Sequence, residues 1–253
     1  MTPHAAHPAH PAHNAPPLRT RIKICGLTRE QDVDAAVEAG ADAVGFVLFD
    51  KSPRFVSPQR AAVLARRLPP FLTPVLLFVN ASAQAVRAAC DLVPGAMLQF
   101  HGDETPQQCR EAAGERAYMR AARIPLDEAT PFDLLEFARL HSHANALLLD
   151  AHVDGYGGGG KAFNWSRLPT SVDAHLVLSG GLRPANVTDG IVQVRPRCRT
   201  LAVDVSSGVE ADATSGALLK GIKDAGKIQQ FVAAVRAADA LLARSPNALL
   251  SST

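Results

Sequence analysis

Eight short apolar runs, set apart by stretches with helical periodicity, constrain this chain more than any other feature. The runs fall at 21–25 (RIKIC), 43–48 (AVGFVL), 74–79 (PVLLFV), 96–100 (AMLQF), 117–122 (AYMRAA), 146–150 (ALLLD), 175–178 (HLVL) and 200–205 (TLAVDV). Short strands that are apolar on both faces need cover on both, and alternation with helices supplies it in a parallel sheet. Helices are predicted near 29–39, 58–68, 82–91, 105–113, 130–142, 184–194 and 227–243, with a short, poorly defined segment near 165–169. Eight such units in 253 residues place the chain in the α/β class as a single (β/α)8 TIM barrel with a parallel eight-stranded core. A doubly wound open sheet is the alternative, but its first turn should be a glycine-rich dinucleotide loop, and here that turn reads CGLT.

Local chemistry marks the element ends. Thr28 and Gln31 have capping-box spacing, Ser57-Pro58 has the form of an N-cap followed by an N1 proline, and Gly40 sits where a helix would end in the left-handed region. The expected organisation is a Pro/Ala/His-rich tail over 1–19, a barrel over 20–245 and a loose C-terminal tail over 246–253. His4, His7, His10 and His13 recur every three residues, which would align them on one face of a polyproline II helix. A free tail loses entropy on ordering, so they read as solvated.

The charge balance, 26 basic against 24 acidic residues, leaves no electrostatic footprint for nucleic acid or a membrane surface. Any anionic ligand must then be held by local groups. Cys25, Cys90, Cys109 and Cys198 are scattered without a CxxC pair, which argues against a zinc cluster or a disulfide framework and for a reducing cytoplasm. No apolar run approaches the roughly 20 residues that span a bilayer. No set of His, Asp and Glu has metal-ligand spacing, so no metal is expected.

Barrel chemistry takes place where the strands end. Two glycine-rich turns follow the last two strands, LSGGL (178–182) and DVSSGVE (204–210). Either alone reads equally well as a tight βα turn. Together, with Gly180, Gly181, Ser206, Ser207 and Gly208 offering backbone N–H groups, they point to a phosphate, and Asp204 is counted with them as a substrate contact. A third run, Gly157–Gly160, follows the sixth strand and reads as a ligand-closing loop or a linker; Gly158 and Gly159 are its candidate contacts. Cys25 ends the first strand with Lys23 on the same face, an arrangement that favours a thiolate base or nucleophile. Asp150 ends the sixth strand, roughly across the barrel, as a candidate general acid. An acid facing a base across a phosphosugar suits an aldose–ketose rearrangement better than hydrolysis. Arg54, in the loop after the second strand, has the fork to grip a carboxylate. His101 reads as a pocket wall or a structural histidine.

In combination these segments resemble the phosphoribosylanthranilate isomerases of tryptophan biosynthesis. KICGLT, GADAVGFVL, SPRFVSP, VLLFVN, LQFHGDE, LLLD, YGGGGKAFNW, LSGGLRPANV and DVSSGVE occur in family order over roughly 21–242. The resemblance implies an Amadori rearrangement without a cofactor, with Cys25 as general base, Asp150 as general acid and Arg54 on the anthranilate carboxylate. It implies that the glycine turns hold the 5-phosphate. Gly159 stands where the family usually has Thr or Ser, and 211–219 lengthens the stretch before KGIKD (220–224). The readings that compete are the aminoaldose isomerase of histidine biosynthesis, which uses aspartate in place of Cys25, a catalytically silent phosphosugar-binding barrel, and an interaction scaffold. The expected partner is a small phosphoribosyl substrate, with no nucleic acid and no membrane, and the chain a monomer or homodimer.

Overall fold

The computed structural model describes residues 19–127, 129–151 and 162–244. Eight parallel strands close into one barrel: β1 (Arg21–Cys25), β2 (Ala43–Val47), β3 (Thr73–Phe78), β4 (Met97–Phe100), β5 (Tyr118–Ile124), β6 (Ala146–Ala151), β7 (Val172–Leu178) and β8 (Cys198–Val205). The ring closes where Lys23 of β1 registers with Asp204 of β8. All eight predicted runs are strands, with ends shifted by at most a few residues.

Helices α1 (Glu30–Glu38), α2 (Pro58–Ala65), α3 (Ala83–Leu92), α4 (Pro106–Ala113), α5 (Leu134–Leu140), α6 (Val187–Val194) and α7 (Ala225–Arg244) follow the pattern, and a single 3₁₀ turn, Trp165–Arg167, takes the ill-defined sixth place. The fifth helix is shorter than the predicted 130–142. Arg167 occupies the carbonyls of Pro125, Asp127 and Thr130 at 3.1–3.3 Å, which keeps that stretch open until Asp133 caps the helix.

The Ser57 cap forms as expected, accepting from the Arg60 N–H, and Gly40 sits at φ 84°. The Thr28–Gln31 capping box does not form. Helix α1 begins after Arg29 without a side-chain cap, because the Thr28 hydroxyl donates instead to the Gly221 carbonyl at 2.6 Å. That carbonyl lies in KGIKD, on the second strand of an antiparallel hairpin of β9 (Glu210–Asp212) and β10 (Leu218–Lys223) whose turn takes up the 211–219 stretch.

Side-chain parity divides the core in two. Outward residues such as Ile22, Ile24, Phe46, Leu76, Leu98 and Phe100 are buried under the helices. Each stabilises the fold by about 1.5–3 kcal/mol relative to exposure. Inward residues fill the lumen with Val75, Met119, Ala121, Leu148 and Val177, and with Cys25, Val47, Leu77 and Val79. Lys23, Gln99 and Asp204 are buried there too, which is where the packing turns into chemistry. No helix among the described residues is long and apolar enough to cross a membrane. Gly158, Gly159 and the rest of the glycine run, the His-rich tail and 246–253 lie outside the described residues.

Candidate active site

Strand parity brings the predicted residues to one end of the barrel. Cys25 is the last residue of β1, His101 follows β4, Asp150 is near the end of β6, and Ser179 and Ser206 follow β7 and β8. Cys25, His101 and Asp150 are all buried. The Cys25 sulfur sits over the Cα of Gly45, where a Cβ would lie only 2.6 Å from it.

Lys23 lies on the same face one step below Cys25, and its Nζ donates to Asp204 Oδ1 at 2.7 Å. Ser179 donates to the other Asp204 oxygen at 3.2 Å. The Asp204 carboxylate is therefore spent inside the lumen and serves as the base of the site rather than as a ligand for an anion. Burial pulls the Lys23 ammonium down, but Asp204 and Cys25 more than offset it and the net shift is upward. Burial pushes the Cys25 thiol up; Lys23 pulls it back, but not to its ordinary value. The expected help from Lys23 is present and is outweighed by desolvation.

Across the barrel, His101 Nε2 meets Asp150 Oδ2 at 2.9 Å and His101 Nδ1 meets Gln99 Nε2 at 2.8 Å. The second Asp150 oxygen accepts from the Ala151 N–H at 2.9 Å. Both ring nitrogens of His101 are thus satisfied, and it is the only described side chain bonded to Asp150. Gln99 was not singled out in the sequence, although it lies two residues before His101 on the same strand face, the one signal available.

The two glycine turns stand side by side. Gly180 has φ 73° and Gly181 φ 64°, both in the left-handed region. A Cβ on Gly180 would fall 2.6 Å from the Ala151 nitrogen and 2.9 Å from Asp150 Oδ1, so only glycine lets this turn lie against the acid. Gly208 packs more tightly still on the neighbouring turn, where a Cβ would overlap the Leu182 carbonyl oxygen. Among the described residues, the N–H groups of Gly180, Gly181, Ser207 and Gly208 donate to no protein acceptor. Four such donors on adjacent turns at the strand ends are available to an anion.

Arg54 closes the remaining side. Its Nε and Nη2 form a fork on Glu210 at 2.7 and 2.8 Å, leaving Nη1 without a protein partner among the described residues. Its chain crosses the turn after Cys25: a Cβ on Gly26 would lie 2.6 Å from Arg54 Cδ and 3.0 Å from Ser206 Oγ. Glu210 also accepts from the Gly221 N–H at 2.8 Å and lies 3.4 Å from Lys223 Nζ. Burial raises its carboxyl, but Arg54, Lys223 and the Gly221 N–H together hold it below the usual range. Neither Glu210 nor Lys223 stood out in the sequence, because their pairing spans a hairpin and reaches back to the second strand's loop.

The described residues contain no group of three His, Cys, Asp or Glu side chains placed to hold a metal ion. What the site does offer is a buried thiol, a buried carboxyl opposite it, a set of unbonded N–H donors and a tethered guanidinium. That array can grip a doubly anionic molecule at two ends and move protons in its middle.

Comparison with known proteins agrees. Residues 22–234 match the family model for N-(5'-phosphoribosyl)anthranilate (PRA) isomerase. The N-(5'-phosphoribosyl)anthranilate isomerase of Methylibium petroleiphilum is 63% identical over 229 residues, covering 90% of this chain and 99% of that protein. A crystal structure of monomers generated from the dimeric isomerase of Thermotoga maritima is 33% identical, with a TM-score of 0.68 and coverage of 86% and 99%. A phosphoribosyl anthranilate isomerase solved with reduced 1-(o-carboxyphenylamino)-1-deoxyribulose 5-phosphate is 34% identical, also with a TM-score of 0.68 and coverage of 86% and 99%.

Proposed function

The chain belongs to the N-(5'-phosphoribosyl)anthranilate isomerase family, and we propose that Cys25 and Asp150 divide the proton transfers of its reaction. That reaction converts N-(5-phosphoribosyl)anthranilate into 1-(2-carboxyphenylamino)-1-deoxyribulose 5-phosphate, a step of tryptophan biosynthesis. Asp150 gives a proton to the ribose ring oxygen as the C1–O bond breaks and the anilino nitrogen forms a Schiff base with C1. Cys25, as thiolate, takes the hydrogen on C2 as a proton. The resulting enolamine gains a proton at C1 and loses one from the C2 hydroxyl, which leaves the ketone. No external oxidant is needed, since C1 is reduced as C2 is oxidised.

The observation that carries this reading is the opposition of Cys25 and Asp150, both buried, at the one end of the barrel that also holds Arg54 and the two glycine turns. We assign Arg54 Nη1 to the anthranilate carboxylate. The N–H groups of Gly180, Gly181, Ser207 and Gly208, together with the Ser206 hydroxyl, are assigned to the phosphate, with Gly158 and Gly159 as further contacts. Each proton-transfer group contributes about 10²–10⁴-fold. The test follows anthranilate fluorescence with substrate generated in situ. Wild type should consume substrate, while Cys25→Ser and Asp150→Asn should lose at least about 100-fold in kcat. Turnover surviving either change requires a different acid or base.

The working unit we assign is a homodimer. The Thermotoga maritima relative is described as dimeric, and here Phe71, at φ 70°, is fully exposed at the end of the barrel opposite the site. A second copy of the chain would cover it, and sedimentation of Phe71→Glu against wild type checks this. All four cysteines are free thiols, three of them buried, which supports a place in the cytoplasm.

A further inference from the structure

One buried cation has no part in the proton transfers. Lys223, the last residue of β10, has its Nζ 2.9 Å from the Ser206 carbonyl, 3.3 Å from Ser206 Oγ and 3.4 Å from Glu210 Oε1, with its side chain wholly buried. An ammonium only donates, so Ser206 Oγ is the acceptor in that contact. The hydroxyl hydrogen is then left to point elsewhere, and Ser206 stands at the rim of the anion site.

The charges around Lys223 do not cancel. Arg54 and Lys223 share the single carboxylate of Glu210. From β1 and β8 the Lys23–Asp204 pair is balanced, and Cys25 is held toward its neutral thiol by burial. From α1, Asp32 approaches the Lys223 backbone N–H at 3.3 Å, but it is matched by Arg29, which in turn reaches the Lys223 carbonyl. While Cys25 is a thiol, one positive charge is left over among the described residues, and it faces the end of the barrel assigned to the anion. Burial, and to a lesser degree Arg54, pull the Lys223 ammonium down to about 8 despite Glu210.

We propose that Lys223 is the positioning residue of the anion-binding end: it fixes the Ser206 hydroxyl as a donor toward the substrate phosphate and supplies a buried positive charge that the anionic substrate balances. This deepens the function proposed above and rests on it. A bound anion strengthens the hold of Lys223 on its proton, so above neutral pH binding draws a proton from solvent.

Calorimetric titration with reduced 1-(o-carboxyphenylamino)-1-deoxyribulose 5-phosphate at pH 8.5, in buffers of different ionisation enthalpy, measures that uptake directly. Wild type should take up as much as about 0.8 proton per ligand, the fraction of Lys223 left unprotonated in the free protein. Lys223→Met should bind roughly 10-fold or more weakly with no uptake, since the charge and the hydroxyl orientation go together. Lys223→Arg should recover part of the affinity, also without uptake, because a guanidinium stays protonated. Binding by wild type without proton uptake overturns this proposal alone. Failure of wild type to bind the ligand at all overturns the functional reading as well. If Lys223→Met does not fold, wild type and Lys223→Arg still decide, since only an ionisable lysine gives the difference between them.

Discussion

His101 Nε2 lies 2.9 Å from Asp150 Oδ2, and this contact is one end of a line that continues through the ring to Gln99. With the Gln99 nitrogen facing Nδ1, the neutral ring carries its proton on Nε2 and directs it at Asp150. An aspartate that is to donate a proton needs the opposite polarity. Turning the Gln99 amide by half a rotation supplies it, and Gln99 Oε1 has no other partner among the described residues to lose. Gln99→Met should therefore lower kcat by about 10-fold or more while leaving KM within about 3-fold, because the amide acts on the acid through His101. Steady-state kinetics check this, and an unchanged kcat removes Gln99 from the proton path.

Glu210 holds Arg54 and Lys223 at once. Glu210→Gln would leave two buried cations without a counter-charge, a loss of about 3–5 kcal/mol for a broken buried pair. Urea unfolding should show that loss, and KM should rise more than kcat falls as Arg54 slackens. A variant as stable as wild type would mean that water reaches the pair and replaces the carboxylate.

Gly180→Ala places a methyl 2.6 Å from the Ala151 nitrogen in a residue that must keep φ 73°. Backbone must move at the point where the phosphate turn meets the acid. The expected result is a loss of about 1–3 kcal/mol in stability and a fall in both kcat and affinity for the product analogue. Unchanged affinity would place the phosphate elsewhere.

His141 ends α5, buried against Phe137 with Nδ1 unpartnered, and burial together with Arg120 depresses its imidazolium from 6.5 to about 4. Between those values the unfolded chain binds the proton and the folded one does not. Protonation thus favours unfolding, and stability falls as pH drops through that window. Relative to His141→Asn, wild type should lose up to about 3 kcal/mol between pH 6.5 and 4, with the difference flat above pH 7. Chemical denaturation of both proteins across that range measures it; a difference independent of pH shows that His141 titrates normally.

What could be read from the sequence follows how far each signal reaches along the chain. The strands were legible because their apolar runs are local, and Cys25, His101 and Asp150 fall at strand ends, where parity alone sets their direction. The helix near 130–142 was legible too, but not its later start at Leu134, since the carbonyls of 125–130 are claimed by Arg167 from beyond the next strand. The Thr28 cap failed for the same reason: its hydroxyl found a partner 193 residues away. Glu210 and Lys223 belong to this second group. A charge that is compensated across such separations leaves no mark on its neighbours in sequence.

The β9–β10 hairpin gives this dependence a practical form. It springs from the last strand of the ring, yet it clasps the guanidinium that emerges after the second. Half-barrels divided after α4 would separate Cys25 and Arg54 from Asp150, the glycine turns and Glu210. Neither fragment would retain a miniature of the site. Although the scaffold is assembled from repeated units, recognition is a property of the closed circle, and shuffling such units between related barrels would transplant the architecture while leaving the grip on the ligand behind.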